Sequence, residues 1–509
     1  MTPTLAVVAI AAVCGLTLAA GGFGLRWSRT TSDFYVASRA VTPSWNAAAI
    51  GGEYISAASF LGVAGLVYAT GIDMLWYPVG YTLGFVMLLV FVAAPLRRSG
   101  AYTLPDFAEA RLGSRRLRGL CTALVIVTGW LYLLPQLQGA SLALHALTGV
   151  PGWVGGVVVT VVVTANVLAG GMRSLTLIQA IHYWLKLAAI GIPAIVLIWL
   201  WVRSGQPAPT GDWAARGGSA LRPESAGLAL YGVYSTLLGL CLGTMGLPHV
   251  VVRFYTNPDG RTARRTTVVV IGLLGLFYLF PPVYGALGRT FLPALPADAT
   301  PDAVVLLLPQ LMAPGALGDG LTAVLAAGAF AAFLSTASGL TVAVAGVLDQ
   351  DVVRPLAGRV RGGEVGGITT FRLATLMATV IPCVLLVGVS GAGIATTVGL
   401  AFALTASTFC PLLVLGVWWR RLTSVGAFAG MAVGAVLALG ATILTVLSPS
   451  HDGVAYALVS QPAAWSVPAA FAVTIAVSLA TPRRVPADAL RTLVRLHTPE
   501  SLDLGVHGR

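Results

Sequence analysis

The chain has 509 residues, 57% of them hydrophobic and only 9% charged, with a mean hydropathy of +0.87. A soluble domain carries about 25% charged residues, so a soluble globular fold is excluded. Helices bundled in lipid are expected instead, because only helices and closed barrels satisfy their backbone there.

Apolar stretches of helix length recur about thirteen times, at roughly 4–25, 44–68, 74–95, 120–147, 153–170, 175–202, 227–248, 266–289, 319–347, 371–390, 394–418, 423–447 and 461–481. No Lys or Arg precedes the first; Arg26 and Arg29 follow it. A secretory signal has the reverse order, so this span reads as a retained helix with its N-terminus outside. The second span carries Glu53, Tyr54, Ser56 and Ser59, with Gly51, Gly52, Gly62 and Gly65 around them. Polar atoms and glycines inside a span are costly unless the freed backbone lines a cavity, so this helix is expected to unwind near Glu53, which then faces ion and solute or pairs with an arginine for structure. The fourth span contains "YLLPQLQGA", where Gln136 and Gln138 offer amides to a carboxylate or to a neighbouring helix.

In the sixth span His182 and Lys186 lie one turn apart. Lys186 is ten residues from the inner end, about 15 Å at 1.5 Å per residue and far for snorkelling, which predicts a functional role or a pairing with Glu53. The seventh span, "YSTLLGLCLGTMGLPHVVVRF", places Gly239, Gly243, Gly246 and Pro248 around Thr244 and Met245, with His249 as an inner gate or a structural histidine. The ninth holds the adjacent hydroxyls Ser335 and Thr336, which suit a hard cation or back-bond to their own helix.

The two glycine-broken spans lie five apart and so run in opposite directions. Paired interruptions at corresponding positions mark inverted-repeat transporters with a midplane binding site. The expected division is 1–43, an extra helix and cytoplasmic loop; 44–202, the first repeat; 203–226, an external loop; 227–418, the second repeat; 419–481, two further helices; and 482–509, a short polar cytoplasmic tail that is at most partly ordered. With the N-terminus outside, the inner segments hold 25 arginines and the outer ones only Arg203, Arg216, Arg222 and Arg289, as the positive-inside rule demands. This asymmetry accounts for the net charge of +12 without nucleic acid. It predicts a multi-pass protein of a bacterial inner membrane with a cytoplasmic C-terminus.

No GxxxxGK[ST] phosphate loop, HExxH or Ser-His-Asp arrangement occurs, and the six histidines are scattered, so neither an enzyme nor an ATP-driven pump is expected. The five cysteines lie in or beside apolar runs without close spacing and read as buried thiols. A passive channel fits the paired breaks poorly. A membrane sensor is the reading from another class, and the short tail disfavours it.

From about residue 30 to 480 the chain resembles the sodium:solute symporter family, through "SDFYVASR" (32–39), "ISAASFLG" (55–62), "YTLPDFAEARLG" (102–113), "GGMRSLTLIQA" (170–180), "GTMGLPHVVVRFYT" (243–256), "STASGLT" (335–341) and the long run 399–430. Within it the chain looks most similar to cation/acetate and monocarboxylate symporters. The resemblance implies an all-α, leucine-transporter-type core of five plus five helices and a sodium site formed by Gly52, Ile55, Ala332, Ser335 and Thr336. Many relatives carry Asp where this chain has Gln179, and the match to a second sodium site breaks there. Acetate-type relatives often lack the hydroxyls matching Ser335 and Thr336, which are present here, and this favours sodium over a proton as the coupling ion. The expected solute is a small carboxylate such as acetate, propionate or pyruvate. The solute-site residues are Glu53, Tyr54, Ser56, Ser59, Gln136, Gln138, Thr244 and Met245, with His182, Lys186 and His249 in coupling or gating. Proline or a nucleobase is the rival solute and a proton the rival ion. The expected partners are the solute and the bilayer; the resemblance also admits a small membrane accessory protein, and the sequence leaves the oligomeric state open.

Overall fold

The computed structural model describes residues 3–24, 42–170, 172–209, 223–296, 299–361, 367–386, 393–447, 453–500 and 502. The motif at 32–39, Arg216 and Arg222 of the external loop, and the end of the tail lie outside the described residues. The described chain is helical, without strands. Its elements are α1 (Pro3–Gly24), α2 (Pro43–Tyr54), α3 (Val63–Thr70), α4 (Trp76–Phe91), α5 (Leu104–Leu112), α6 (Arg115–Thr148), α7 (Trp153–Ala169), α8 (Met172–Arg203), α9 (Pro223–Gly246), α10 (Pro248–Phe254), α11 (Gly260–Phe277), α12 (Pro281–Phe291), α13 (Val304–Met312), α14 (Ala316–Leu348), α15 (Gly367–Leu385), α16 (Ile394–Trp418), α17 (Ser424–Leu447), α18 (Ala463–Ala480) and α19 (Ala489–His497).

Each expected span corresponds to an apolar helix or a pair of helices. Among the described residues, ten helical stretches are long and apolar enough to cross a membrane unaided. Two more spans are bent pairs: α2 meets the helix from Ala58 to Thr70 at 71°, and the apolar part of α9 meets α10 at 48°. The short apolar α7 completes the set. Both breaks fall where glycines and polar residues interrupt the hydrophobic pattern. At the first, Ala58–Gly62 takes a π-helical turn before α3 begins; such turns frequently mark functional positions. At the second, Leu247 is extended and Pro248 opens α10, as a proline can at a first helical turn.

The bundle turns polarity inside out relative to a soluble protein. Val161 and Leu279 are exposed by more than 60%, an apolar surface suited to lipid. The centre is α14, buried without interruption from Gly328 to Leu348. Its Ala, Gly and Ser residues let neighbours approach closely, which is what drives helix association where water is absent.

The segments expected on the cytoplasmic side meet at one end of the bundle. There Arg118 joins Asp106 at 2.9 Å, Glu109 at 2.6 Å and Asp351 at 2.8 Å. Arg97 donates to the carbonyls of Asn257 and Pro258. The tail's α19 docks beneath this end, where Arg98 pairs with Glu500 at 3.3 Å and donates to the carbonyls of Leu496 and His497. An amphipathic nine-residue helix finds its apolar partners only in three dimensions. Two of the arginines counted as loop charges, Arg111 and Arg253, are also buried, each 2% exposed.

Candidate functional site

The site begins where α2 ends. An unwound backbone leaves carbonyls without their usual partners, and here they turn toward α8 and α14. Close packing brings α8 in: a Cβ at Gly52 would overlap the Gln179 carbonyl, and one at Gly51 would meet the Tyr183 ring at 3.0 Å. Gln179, Tyr183 and Lys186 share one face of α8 at i, i+4 and i+7, so the approach that seats Tyr183 also delivers Lys186 to the break.

Lys186 is fully buried. Its ammonium donates to the carbonyl of Gly52, to that of Ile55 at 2.7 Å and to Ser335 Oγ at 2.6 Å. Ser335 Oγ also reaches the carbonyls of Gly52 at 2.8 Å and Ala332 at 3.1 Å. Thr336 Oγ1 donates to the carbonyl of Glu53 at 2.6 Å and lies 3.4 Å from that of Ile55. All five residues expected to ligate sodium are thus brought together, and hard oxygens of this kind suit a small cation. The point on which the Gly52, Ile55 and Ser335 oxygens converge, however, is the lysine nitrogen. As arranged, the set does not fit a sodium ion.

Beside it sits a buried ion pair. Arg253, on α10, approaches Glu53 at 2.6 Å, their side chains 2% and 3% exposed. The same guanidinium donates to Thr176 Oγ1 at 2.8 Å and to Gln179 Oε1, and Gln179 Nε2 passes on to the Ser335 carbonyl at 3.2 Å. Glu53 therefore faces Arg253 rather than a solute pocket, and Lys186 takes carbonyl partners rather than Glu53. Asn46 of α2 also reaches Asn257 beyond α10 at 3.2 Å. Arg253 is the residue that sequence reasoning missed as a site residue. Its signal was the second break: five residues beyond Pro248 it is inside the broken span, not in the loop after it.

The other expected residues divide. Tyr54 and Thr244 join the two breaks by a 2.9 Å hydrogen bond between their hydroxyls. Around them stand Tyr81, Phe85, Tyr132 and Phe402: Tyr54 to Phe85 is 4.8 Å between ring centres, Tyr81 to Phe402 5.4 Å and Tyr132 to Phe402 5.8 Å. His249 lies 5.3 Å from the Tyr132 ring. It is 1% exposed, yet among the described residues neither ring nitrogen has a hydrogen-bond partner, nor does the Tyr81 hydroxyl. Buried polar groups are rarely left so. Ser56 and Met245 are buried there too, and Ser59 bonds the Tyr278 hydroxyl at 2.8 Å.

Three residues are placed differently. Gln136 has both ends of its amide engaged: Oε1 accepts from the Ala57 N–H at 2.8 Å and Nε2 donates to the Tyr132 carbonyl at 3.2 Å. It clamps the break rather than offering a free amide. Gln138, two residues on, points elsewhere and lines a cavity of about 700 Å³ at the arginine-poor end, with Gly65, Trp153, Asp302 and Ile394. His182 turns away from the ion site toward α1, where Nε2 meets Thr17 Oγ1 at 3.2 Å. Asp302, at the cavity, is buried and accepts from the Ile394 N–H at 3.2 Å; burial raises its carboxyl to a pKa of about 6.

Known proteins share this architecture. A Na+-coupled sialic acid symporter, solved in a substrate-bound outward-open state, superposes with a TM-score of 0.69 at 14% identity over 93% of this chain and 97% of its own. Mhp1, a nucleobase-cation-symport-1 family transporter solved in a closed conformation with bromovinylhydantoin, gives 0.56 at 13% identity over 92% and 99%. These likenesses give the fold, that of leucine-transporter-type proteins. In sequence, an uncharacterised symporter of Bacillus subtilis (strain 168), YwcA, is 31% identical over 447 residues, covering 86% of this chain and 85% of that protein. These relatives are transporters and not enzymes. The sodium:solute symporter family model matches residues 34–434, and with the broken-helix core that those residues build, the chain belongs to the sodium:solute symporter family.

Proposed function

We propose that the protein is a secondary active symporter that uses a cation gradient to take up a small monocarboxylate such as acetate, propionate or pyruvate. One observation carries the anion: two buried cations, Lys186 and Arg253, stand against one buried carboxylate, Glu53. A cluster with surplus positive charge in low dielectric calls for an anion. The partnerless His249 and Tyr81 beside Tyr54 and Thr244 can donate to it, and the packed aromatic walls favour a solute of few atoms. Entry is from the 700 Å³ cavity, while the Arg118 network closes the other end. The gathering of arginines at that closed end supports a bacterial inner-membrane protein with its N-terminus outside and its C-terminus inside.

Family membership supports sodium as the driving ion. A second reading, a proton gradient without sodium, is favoured by the lysine nitrogen at the expected ion position. The test is uptake of radiolabelled acetate and pyruvate into proteoliposomes with Na+ and H+ gradients imposed separately. Unlabelled acetate, propionate or pyruvate is expected to compete, and proline and glucose are not. Competition by proline alone would overturn the monocarboxylate reading.

A further inference from the structure

We infer that the ion seat of this protein is filled by its own cation, the ε-ammonium of Lys186, and that sodium does not bind there in the wild-type protein. The inference rests on reading the protein as a cation-coupled symporter and specifies which cation occupies that seat.

The coordination is complete. An ammonium has three N–H donors, and three acceptors meet it: the carbonyls of Gly52 and Ile55 and the hydroxyl of Ser335. The two carbonyls belong to the C-terminal end of α2 and the residue after it, where the helix dipole favours positive charge. The donor is tethered, because α8 is locked against α2 at Gly52. The ammonium thereby joins three elements, α2, α8 and α14, which is the mechanical task of a bound ion at such a junction.

Exchange is blocked as well as unnecessary. Sodium would need the same oxygens at nearly the same distances, so the two cations exclude each other. An expelled ammonium would need new acceptors inside the protein. The neighbouring carboxylate, Glu53, is held by Arg253, and Gln179 Oε1 accepts from the same guanidinium. Uncompensated buried charge is strongly unfavourable.

The test is saturable ²²Na+ binding to the purified protein. Wild-type protein is expected to show no ²²Na+ binding that Ser335→Ala alters. Lys186→Ala is expected to gain saturable ²²Na+ binding, weakened about tenfold by adding Ser335→Ala. Lys186→Met, which keeps the stem but not the charge, serves if the alanine variant fails to fold. If neither folds, the wild type decides: any difference between its melting temperatures in sodium and choline chloride should be unchanged by Ser335→Ala. Wild-type ²²Na+ binding or melting that depends on both sodium and Ser335 would overturn the inference, as would a folded Lys186 variant that gains no sodium binding. Failure of the solute reading is distinguishable, since it removes competition by carboxylates and leaves the ²²Na+ results unchanged.

Discussion

Breaking the Glu53–Arg253 pair offers the sharpest test of the site. The two groups are 2.6 Å apart and almost fully enclosed, so each neutralises a charge that water cannot reach. At an effective dielectric of about 20 and roughly 4 Å between charge centres, their attraction is ~4 kcal/mol. Losing one partner of a buried pair typically costs ~3–5 kcal/mol. Arg253→Met should reach the upper end, because Thr176 and Gln179 also lose their donor, at ~1 kcal/mol for each lost hydrogen bond. Glu53→Gln should cost less, since Arg253 keeps those two acceptors. The double variant, with neither charge, should recover to within ~2 kcal/mol of wild type, because replacing a buried pair by neutral groups is often close to neutral. Thermal melting of the four proteins in detergent, followed by size-exclusion fluorescence, reads the order directly. A double variant that melts lower than both singles would refute the pairing, since the two residues would then be acting independently.

Gly52→Ala should destabilise by ~1–3 kcal/mol, the usual cost of overpacking, and abolish uptake, because its Cβ overlaps a backbone carbonyl that cannot swing aside; melting and transport of that variant check both. Asp302 predicts a pH effect. Its folded pKa of about 6 lies above the ordinary carboxyl value of 3.8, so between the two the folded state holds a proton that the unfolded chain releases. Stability should then be fullest below pH 4 for this group and fall as pH rises through 6, by ~3 kcal/mol in total. Asp302→Asn, which keeps an acceptor for Ile394, should flatten the melting profile between about pH 4 and 6, the interval between the unfolded and folded values; a profile unchanged by the substitution would disprove the assignment. For topology, cysteines introduced at Thr210 and Arg484 should label from opposite faces of the membrane.

The helices and their breaks were legible because lipid leaves one dominant pattern, apolar runs of fixed length, and departures from it stand out. Gly52, Ile55, Ser335 and Thr336 could be placed together only through the resemblance to the symporter family. The occupant of their common point could not, since nothing in "QAIHYWLKL" states which face of α8 meets α2; that follows from the close approach at Gly52. Arg253 was hidden by adjacency to a loop: beyond a proline, a short second half-helix and a loop have the same local composition. Gln136 illustrates a different limit. A glutamine facing a break has two uses, donor to a solute or clamp on the backbone, and only the position of the Ala57 N–H decides between them.

The ion pair has a consequence for inheritance. Residues 53 and 253 are 200 positions apart and belong to opposite halves of the molecule, yet each makes the other tolerable. A lineage that loses the arginine while keeping the acid, or the reverse, passes through a badly folded intermediate. Substitutions at the two positions should therefore arise together among descendants of this chain. Gln179 belongs to the same unit: an acid there would compete for the guanidinium and alter what Glu53 must balance. The two broken helices, encoded far apart, vary as one character.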